Sequence, residues 1–222
     1  MLNGRPLIQY PVRAALASKY VDEVWVATDG RCISNATCDA SPDVGRLKVY
    51  KRSDDSAKDD SNSEEVLLEF AKKYKAHGFS KDDFDIMVFM QCTSPLTETE
   101  DIDGALELLE KDEYCNSVLS CCKDHGGPLC GGFTWKAEVR LSEYEGTSHH
   151  AATRVTPYSH QRQNMPEFYR ENGAFYATYK KDFIKEKTRL PGNVRIYEMP
   201  RQRSFEIDSK EDLEEVKNIL RS

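Results

Sequence analysis

Five consecutive apolar residues, Ile86-Met-Val-Phe-Met90, constrain the fold of this chain more than any other stretch. Side chains of an extended strand point alternately to opposite faces, so a run that is apolar throughout has to be covered on both sides. Ser117-Val-Leu-Ser-Cys-Cys122 is a second strand candidate of the same kind. Glu23-Val-Trp-Val-Ala27, Gly173-Ala-Phe-Tyr-Ala-Thr178 and Val194-Arg-Ile-Tyr-Glu198 also read as strands, and Leu47-Lys-Val-Tyr50 as a weaker one. Helical spacing alternates with them. It runs from Pro6 to Tyr20 through Leu7, Val12, Ala15 and Leu16, then from Glu64 to Ala76 through Val66, Leu67, Phe70 and Tyr74. It returns over Asp101 to Leu109 and after Ser209, where Leu213, Val216, Ile219 and Leu220 recur. Strands alternating with helices specify an α/β fold with a mostly parallel sheet and helices on both faces. At 222 residues the chain suits one domain spanning residues 1–222, with one good-sized core.

Residues 123–169 depart from this pattern. Gly, His, Pro, Ser and Thr become frequent there, and only Gly131-Gly-Phe-Thr-Trp135 and Val139-Arg-Leu141 suggest short strands. The segment reads as an insertion, and Phe133, Trp135 and Tyr144 within it would be costly to leave exposed together, which predicts a partner surface. A net charge of -7 argues against nucleic acid and anionic lipid as partners. No apolar run approaches the ~20 residues of a membrane span, and the first residues lack a secretory signal, so a cytoplasmic protein is expected, or a nuclear one in a eukaryote. The seven cysteines form no CxxC pair and read as reduced, mostly structural thiols, and His149-His150 has no pattern around it to complete a metal site.

In an open parallel sheet, ligands lie beyond the carboxyl ends of the strands. Thr28-Asp29 and Gln91-Cys-Thr-Ser each follow a strand, and Glu206-Ile-Asp208 lies in the connection before the last helix. Carboxylates at i and i+2 of an extended segment project to one side, where they can share a magnesium ion or form a solvated turn capping the helix. Residues alone leave both readings open. They equally allow Gln91 to satisfy a backbone group, Arg162 to be a surface arginine and Tyr176 to be core.

Three stretches, Gln91-Cys-Thr-Ser-Pro-Leu96, Arg162-Gln-Asn-Met-Pro-Glu-Phe-Tyr-Arg-Glu-Asn-Gly-Ala-Phe-Tyr176 and Arg203-Ser-Phe-Glu-Ile-Asp208, resemble in order and separation the N-acylneuraminate cytidylyltransferases. Asn3 to Asp29 looks like that family's "NG-x-P-L-I" helix, strand and "S-T-D" turn. Arg52 to Ser63 resembles its nucleotide loop, with Ser53 and Ser56 in place of a proline and a leucine. The resemblance implies a Rossmann-like nucleotidyltransferase that joins CTP to sialic acid, releasing pyrophosphate. It implies that Arg52 and Ser63 contact the cytosine, that Gln91, Arg162, Asn172 and Tyr176 hold the sugar, and that Glu206 and Asp208 bind catalytic Mg2+. It further implies that the 123–169 insertion packs against a second subunit in a two-fold homodimer. Other nine-carbon keto-acid sugars (legionaminic, pseudaminic or deaminated) and a catalytically impaired binding or assembly subunit stand as alternatives.

The chain departs from the family pattern in three places. The family opens with an apolar strand and a Gly-, Lys- and Arg-bearing phosphate loop, roughly "R-x-G-S-K-G-x-x-x-K-N", whereas this sequence opens at the helix; an N-terminally incomplete domain is therefore expected. The absent strand ought to be central, and without it buried neighbours would keep unpaired backbone groups. Thr97 stands where an arginine usually follows, and Glu206 replaces the first aspartate of the acidic pair, its extra methylene displacing the carboxylate.

Overall fold

The computed structural model describes residues 1–40, 45–53, 62–73, 84–123, 134–136 and 168–221. Its elements follow one another as α1 (Gln9–Ala17), β1 (Val24–Thr28), α2 (Arg31–Cys38), β2 (Leu47–Lys51), α3 (Ser63–Lys73), β3 (Ile86–Met90), α4 (Thr99–Lys111) and β4 (Ser117–Lys123). Then come β5 (Thr134–Lys136), β6 (Phe168–Tyr179), α5 (Lys180–Glu186), β7 (Val194–Glu198), a single 3-10 turn at Arg201–Arg203 and α6 (Lys210–Ile219). Among these residues no helix is long and apolar enough to cross a membrane.

Strands β3, β6, β4 and β7 lie side by side in that order, with β5 on the free part of β6. β4 and β7 are parallel, while β6 runs antiparallel to both β3 and β4, so β3, β4 and β7 share one direction. β5, antiparallel to β6, runs in that direction too, so β6 alone is reversed. The alternation of β3 sets the layers. Val88 packs with Ala15 of α1 and with Ile102, Ala105 and Leu109 of α4, whereas Met87 packs with Ala71 of α3 and Phe183 of α5. Helices therefore cover both faces, as the sequence pattern requires.

β1 and β2 form a separate parallel pair. Among the described residues β1 has β2 on one edge only, and β3 has β6 on one edge only. Helices bridge the interruption. Val24 of β1 joins the cluster that holds Val88, and Phe70 of α3 touches Trp25 of β1 at 5.3 Å and Phe84, just before β3, at 6.2 Å. Full coverage was expected of the all-apolar β3, yet only Met87 is buried and its other four side chains are half-buried, one edge having no strand beside it among the described residues.

Several expected boundaries move. The first helix begins at Gln9 rather than Pro6, and the third at Thr99, where Glu98 and Asp101 form a reciprocal capping box. The strand read as Gly173 to Thr178 extends back to Phe168, taking the last residues of the expected insertion into the sheet. Helices α2 and α5 are too short to have been legible: α2 is Arg-Cys-Ile-Ser-Asn-Ala-Thr-Cys with Thr37 its one buried residue, and α5 has seven residues. The Val139-Arg-Leu141 strand lies outside the described residues.

Candidate functional site

The turn that leaves β3, the middle of β6 and the connection before α6 meet at one end of the sheet. Gln91 follows β3 directly, and its backbone N–H donates to the Ala174 carbonyl at 3.2 Å. Thr93 ties this turn to the acidic connection twice. Its carbonyl accepts from the Ile207 N–H at 2.8 Å, and its hydroxyl lies 3.1 Å from Glu206 Oε1 and 3.3 Å from Gln91 Oε1. A hydroxyl has one hydrogen, and the shorter, charge-assisted bond to the carboxylate takes it. The Gln91 amide is then better satisfied turned over, with its NH2 donating to Thr93.

Gly173 brings β6 against the same carboxylate. Its φ is +66°, a left-handed conformation that favours glycine, and a Cβ there would lie 3.1 Å from Glu206 Oε2. The neighbouring Asn172 is buried, with its NH2 donating to Ser204 Oγ at 2.9 Å and its carbonyl accepting from the Ala174 N–H at 3.3 Å. Its amide thus locks β6 to the connection that carries Glu206. Burial pushes the Glu206 carboxyl above its ordinary range; the Thr93 hydroxyl pulls it down, and the charges of Asp208 and Glu171 push it up. Asp208 is exposed, and its backbone N–H donates to Asp212 Oδ2 at 3.1 Å.

The connection is anchored by residues to which the sequence reading gave no role. Arg203 makes a two-pronged pair with the fully buried Asp101, Nε to Oδ2 at 3.0 Å and Nη2 to Oδ1 at 2.6 Å, and reaches Glu98 at 3.1 Å. This fixes the turn before Ser204 to the start of α4. Downstream, Ser209 caps α6 by accepting from the Asp212 N–H at 3.1 Å. Glu206 and Asp208 therefore hang between two fixed points.

Tyr176 sits on the opposite face of β6 from Phe175, half-stacked on Phe89 at 6.2 Å. Its hydroxyl donates to the Glu171 carboxylate. Burial, and then the Glu171 charge, hold this phenol far above its ordinary range, so it stays a protonated donor. Arg189, in the turn after α5, lies over the Tyr176 ring at 4.5 Å and donates from Nε to Glu64 Oε1 at 2.6 Å.

Of the expected site residues, the structure joins Gln91 and Glu206 through the Thr93 hydroxyl and ties Asn172 to the same connection through Ser204, with Asp208 beside it in the chain and Tyr176 linked through the field of Glu171. Arg52 lies on the other side of the interruption, and Ser63 on the helix that bridges it. Arg52 directly follows β2, its N–H bonded to the Thr28 carbonyl at 3.2 Å, and Ser63 opens α3, next to the Glu64 that holds Arg189. Arg162 lies outside the described residues. Thr93, Glu171 and Arg203 fall within motifs legible in the sequence, whereas Glu64 and Arg189 carry no sequence signal.

The acidic pair suits magnesium better than a fully protein-made cage. Among the described residues no three His, Cys, Asp or Glu side chains are close enough to hold a metal. Two carboxylates, one exposed and one held up mainly by burial and further by neighbouring negative charge, match an ion that keeps waters and substrate phosphates as its remaining ligands.

The family model described as Cytidylyltransferase matches residues 1–221. N-acylneuraminate cytidylyltransferase A of Danio rerio is 31% identical over 208 residues, which is 94% of this chain and 43% of that protein. The N-acylneuraminate cytidylyltransferase of Streptococcus agalactiae serotype V is 24% identical over 214 residues, 95% of this chain and 46% of that protein. The chain thus spans less than half the length of these curated relatives. Among solved structures, CMP-2-keto-3-deoxy-manno-octonic acid synthetase complexed with CTP superposes with a TM-score of 0.68 at 18% identity, covering 100% of this chain and 90% of that one. The 4-diphosphocytidyl-2C-methyl-D-erythritol synthase of Anaerococcus prevotii superposes at 0.65 and 12% identity, covering 100% and 88%. These two likenesses establish the fold.

Proposed function

This chain belongs to the cytidylyltransferase family, and we propose that it transfers the cytidylyl group of CTP to N-acylneuraminate (sialic acid), giving CMP-sialic acid and pyrophosphate. The observation that carries the reading is the junction of Gln91, Thr93, Gly173 and Glu206 at the sheet end, built from the segments that resemble the acylneuraminate enzymes. The names of the curated relatives support the same substrates.

In this reading Arg52 and Ser63 contact the cytosine, whose carbonyl and exocyclic amine need a donor and an acceptor. Arg162 pairs with the sugar carboxylate through its planar fork, Gln91 and Tyr176 line the sugar pocket, and Asn172 shapes it while its amide stays bonded to Ser204. Glu206 and Asp208 hold Mg2+, which when bound neutralises triphosphate charge and polarises the α-phosphate. The anomeric hydroxyl forms the new P–O bond as the bond to the leaving pyrophosphate breaks, with no covalent enzyme intermediate. The residues' task is to align the two substrates. Residues 123–169 form a dimerisation insertion that packs against a second copy and helps complete its sugar site.

The test is pyrophosphate release that requires CTP, Mg2+ and N-acetylneuraminate together. Asp208→Ala is expected to lower turnover by orders of magnitude while leaving the melting temperature near that of the parent; equal activity removes the metal assignment. Sedimentation of an active monomer of 25.4 kDa would refute the shared site.

A further inference from the structure

Arg189 has an environment that a purely structural arginine does not need. Its Nε is fixed by Glu64 at 2.6 Å, and its guanidinium carbon lies 4.5 Å from the Tyr176 ring centre and 5.2 Å from that of Phe89. The side chain is 24% exposed, so the group is held in a half-dry position by one carboxylate and two aromatic faces. Among the described residues neither terminal nitrogen has an acceptor, and Glu64 takes only Nε. Guanidinium groups at carboxylate sites usually bond through two parallel N–H groups, so the outer edge of this fork is oriented and unused.

Its surroundings say what that edge can receive. Tyr176 beneath it is engaged with Glu171, and Glu171 and Asp208 both add negative potential at Glu206. An acidic substrate approaching this end of the sheet meets repulsion from three carboxylates. A preoriented cation on the Tyr176 side offsets it, and stacking on Tyr176 and Phe89 limits the rotamer freedom lost on binding.

We infer that Arg189 is a specificity-determining residue that reads the carboxylate of the acidic sugar through its two free terminal nitrogens. The inference rests on the sialic acid reading above, and it places a second arginine at the sugar beside Arg162. Glu64 is the positioning residue: it holds Arg189 at Nε and leaves the terminal fork directed away from itself.

The test is binding rather than turnover, so that it can fail separately from the proposed catalysis. Dissociation constants for N-acetylneuraminate and for its methyl ester are measured by ligand-detected NMR on the full chain. The parent is expected to prefer the acid, and Arg189→Met to reduce the acid-to-ester preference about tenfold, the scale of one lost charge-assisted pair. Arg189→Lys keeps the Glu64 pair and the charge but loses the fork, and is expected to give an intermediate preference, which also covers the case that the methionine variant misfolds. A parent without acid preference, or a folded variant that keeps the full preference, overturns the inference. A parent that makes no CMP-sugar but shows an Arg189-dependent preference overturns the catalytic proposal and leaves this one standing.

Discussion

Gly173→Ala separates backbone strain from site geometry. At φ +66° an L-residue costs roughly 1–2 kcal/mol relative to its right-handed alternatives. The added methyl also lands 3.1 and 3.2 Å from the two Glu206 oxygens, tighter than ordinary contact, so the carboxylate has to move by a few tenths of an ångström. That movement weakens the 3.1 Å bond from Thr93, which at a half-buried site is worth about 1 kcal/mol. The two parts sum to roughly 2–3 kcal/mol, or a fall in melting temperature on the order of 4–12 °C for a chain of this size. A double-mutant cycle with Glu206→Ala resolves them: the backbone part persists once the carboxylate is gone, and the contact part vanishes. Equilibrium urea unfolding followed by circular dichroism is then expected to give a coupling of about 1 kcal/mol. Additivity within about 0.3 kcal/mol would show that Glu206 does not rest on Gly173, and the geometry of the candidate site would be wrong.

Arg203→Ala leaves the fully buried Asp101 carboxylate without its two-pronged partner, and a stability loss of roughly 3 kcal/mol or more is expected in urea; a shift under about 0.5 kcal/mol refutes the anchoring role. Ser209→Ala removes the cap of α6 and is expected to cost about 1 kcal/mol, with helix amides near Asp212 exchanging faster by NMR. Thiol labelling of the native protein at pH 8 is expected to be fast at the exposed Cys32 and Cys38 and slow at Cys115, whose thiol burial pushes up to about 11, and at Cys121, likewise raised by burial. Rapid modification of Cys115 in folded protein contradicts the packing around it.

Elements with strong periodicity were legible in the sequence. Ile86–Met90, Ser117–Lys123, Val194–Glu198 and the amphipathic α4 and α6 stand close to where their patterns put them, since each has a face that only one partner can bury. What the pattern could not give was strand direction: β6 is apolar along Ala174 to Ala177 whichever way it runs, and its antiparallel placement depends on the connections around it. The candidate site divides in the same way. Gln91, Asn172 and Glu206 belong to recognisable motifs and do meet, while Arg189 and Glu64 are 125 positions apart in sequence and pair only because α3 and the turn after α5 lie on one face of the sheet.

The break between β1 and β3 has a thermodynamic consequence. Main-chain ladders make a sheet open as a unit, and here none runs from the β1–β2 pair to the five-stranded sheet among the described residues. Only side chains such as Phe70 and Val24 join the two. With no ladder to couple them, the pair and its helix α2 are expected to open at a lower free energy than the five-stranded sheet. The fluorescence of the half-buried Trp25, whose ring lies tilted against Phe70, should change at a denaturant concentration where the ellipticity of the larger sheet is still native.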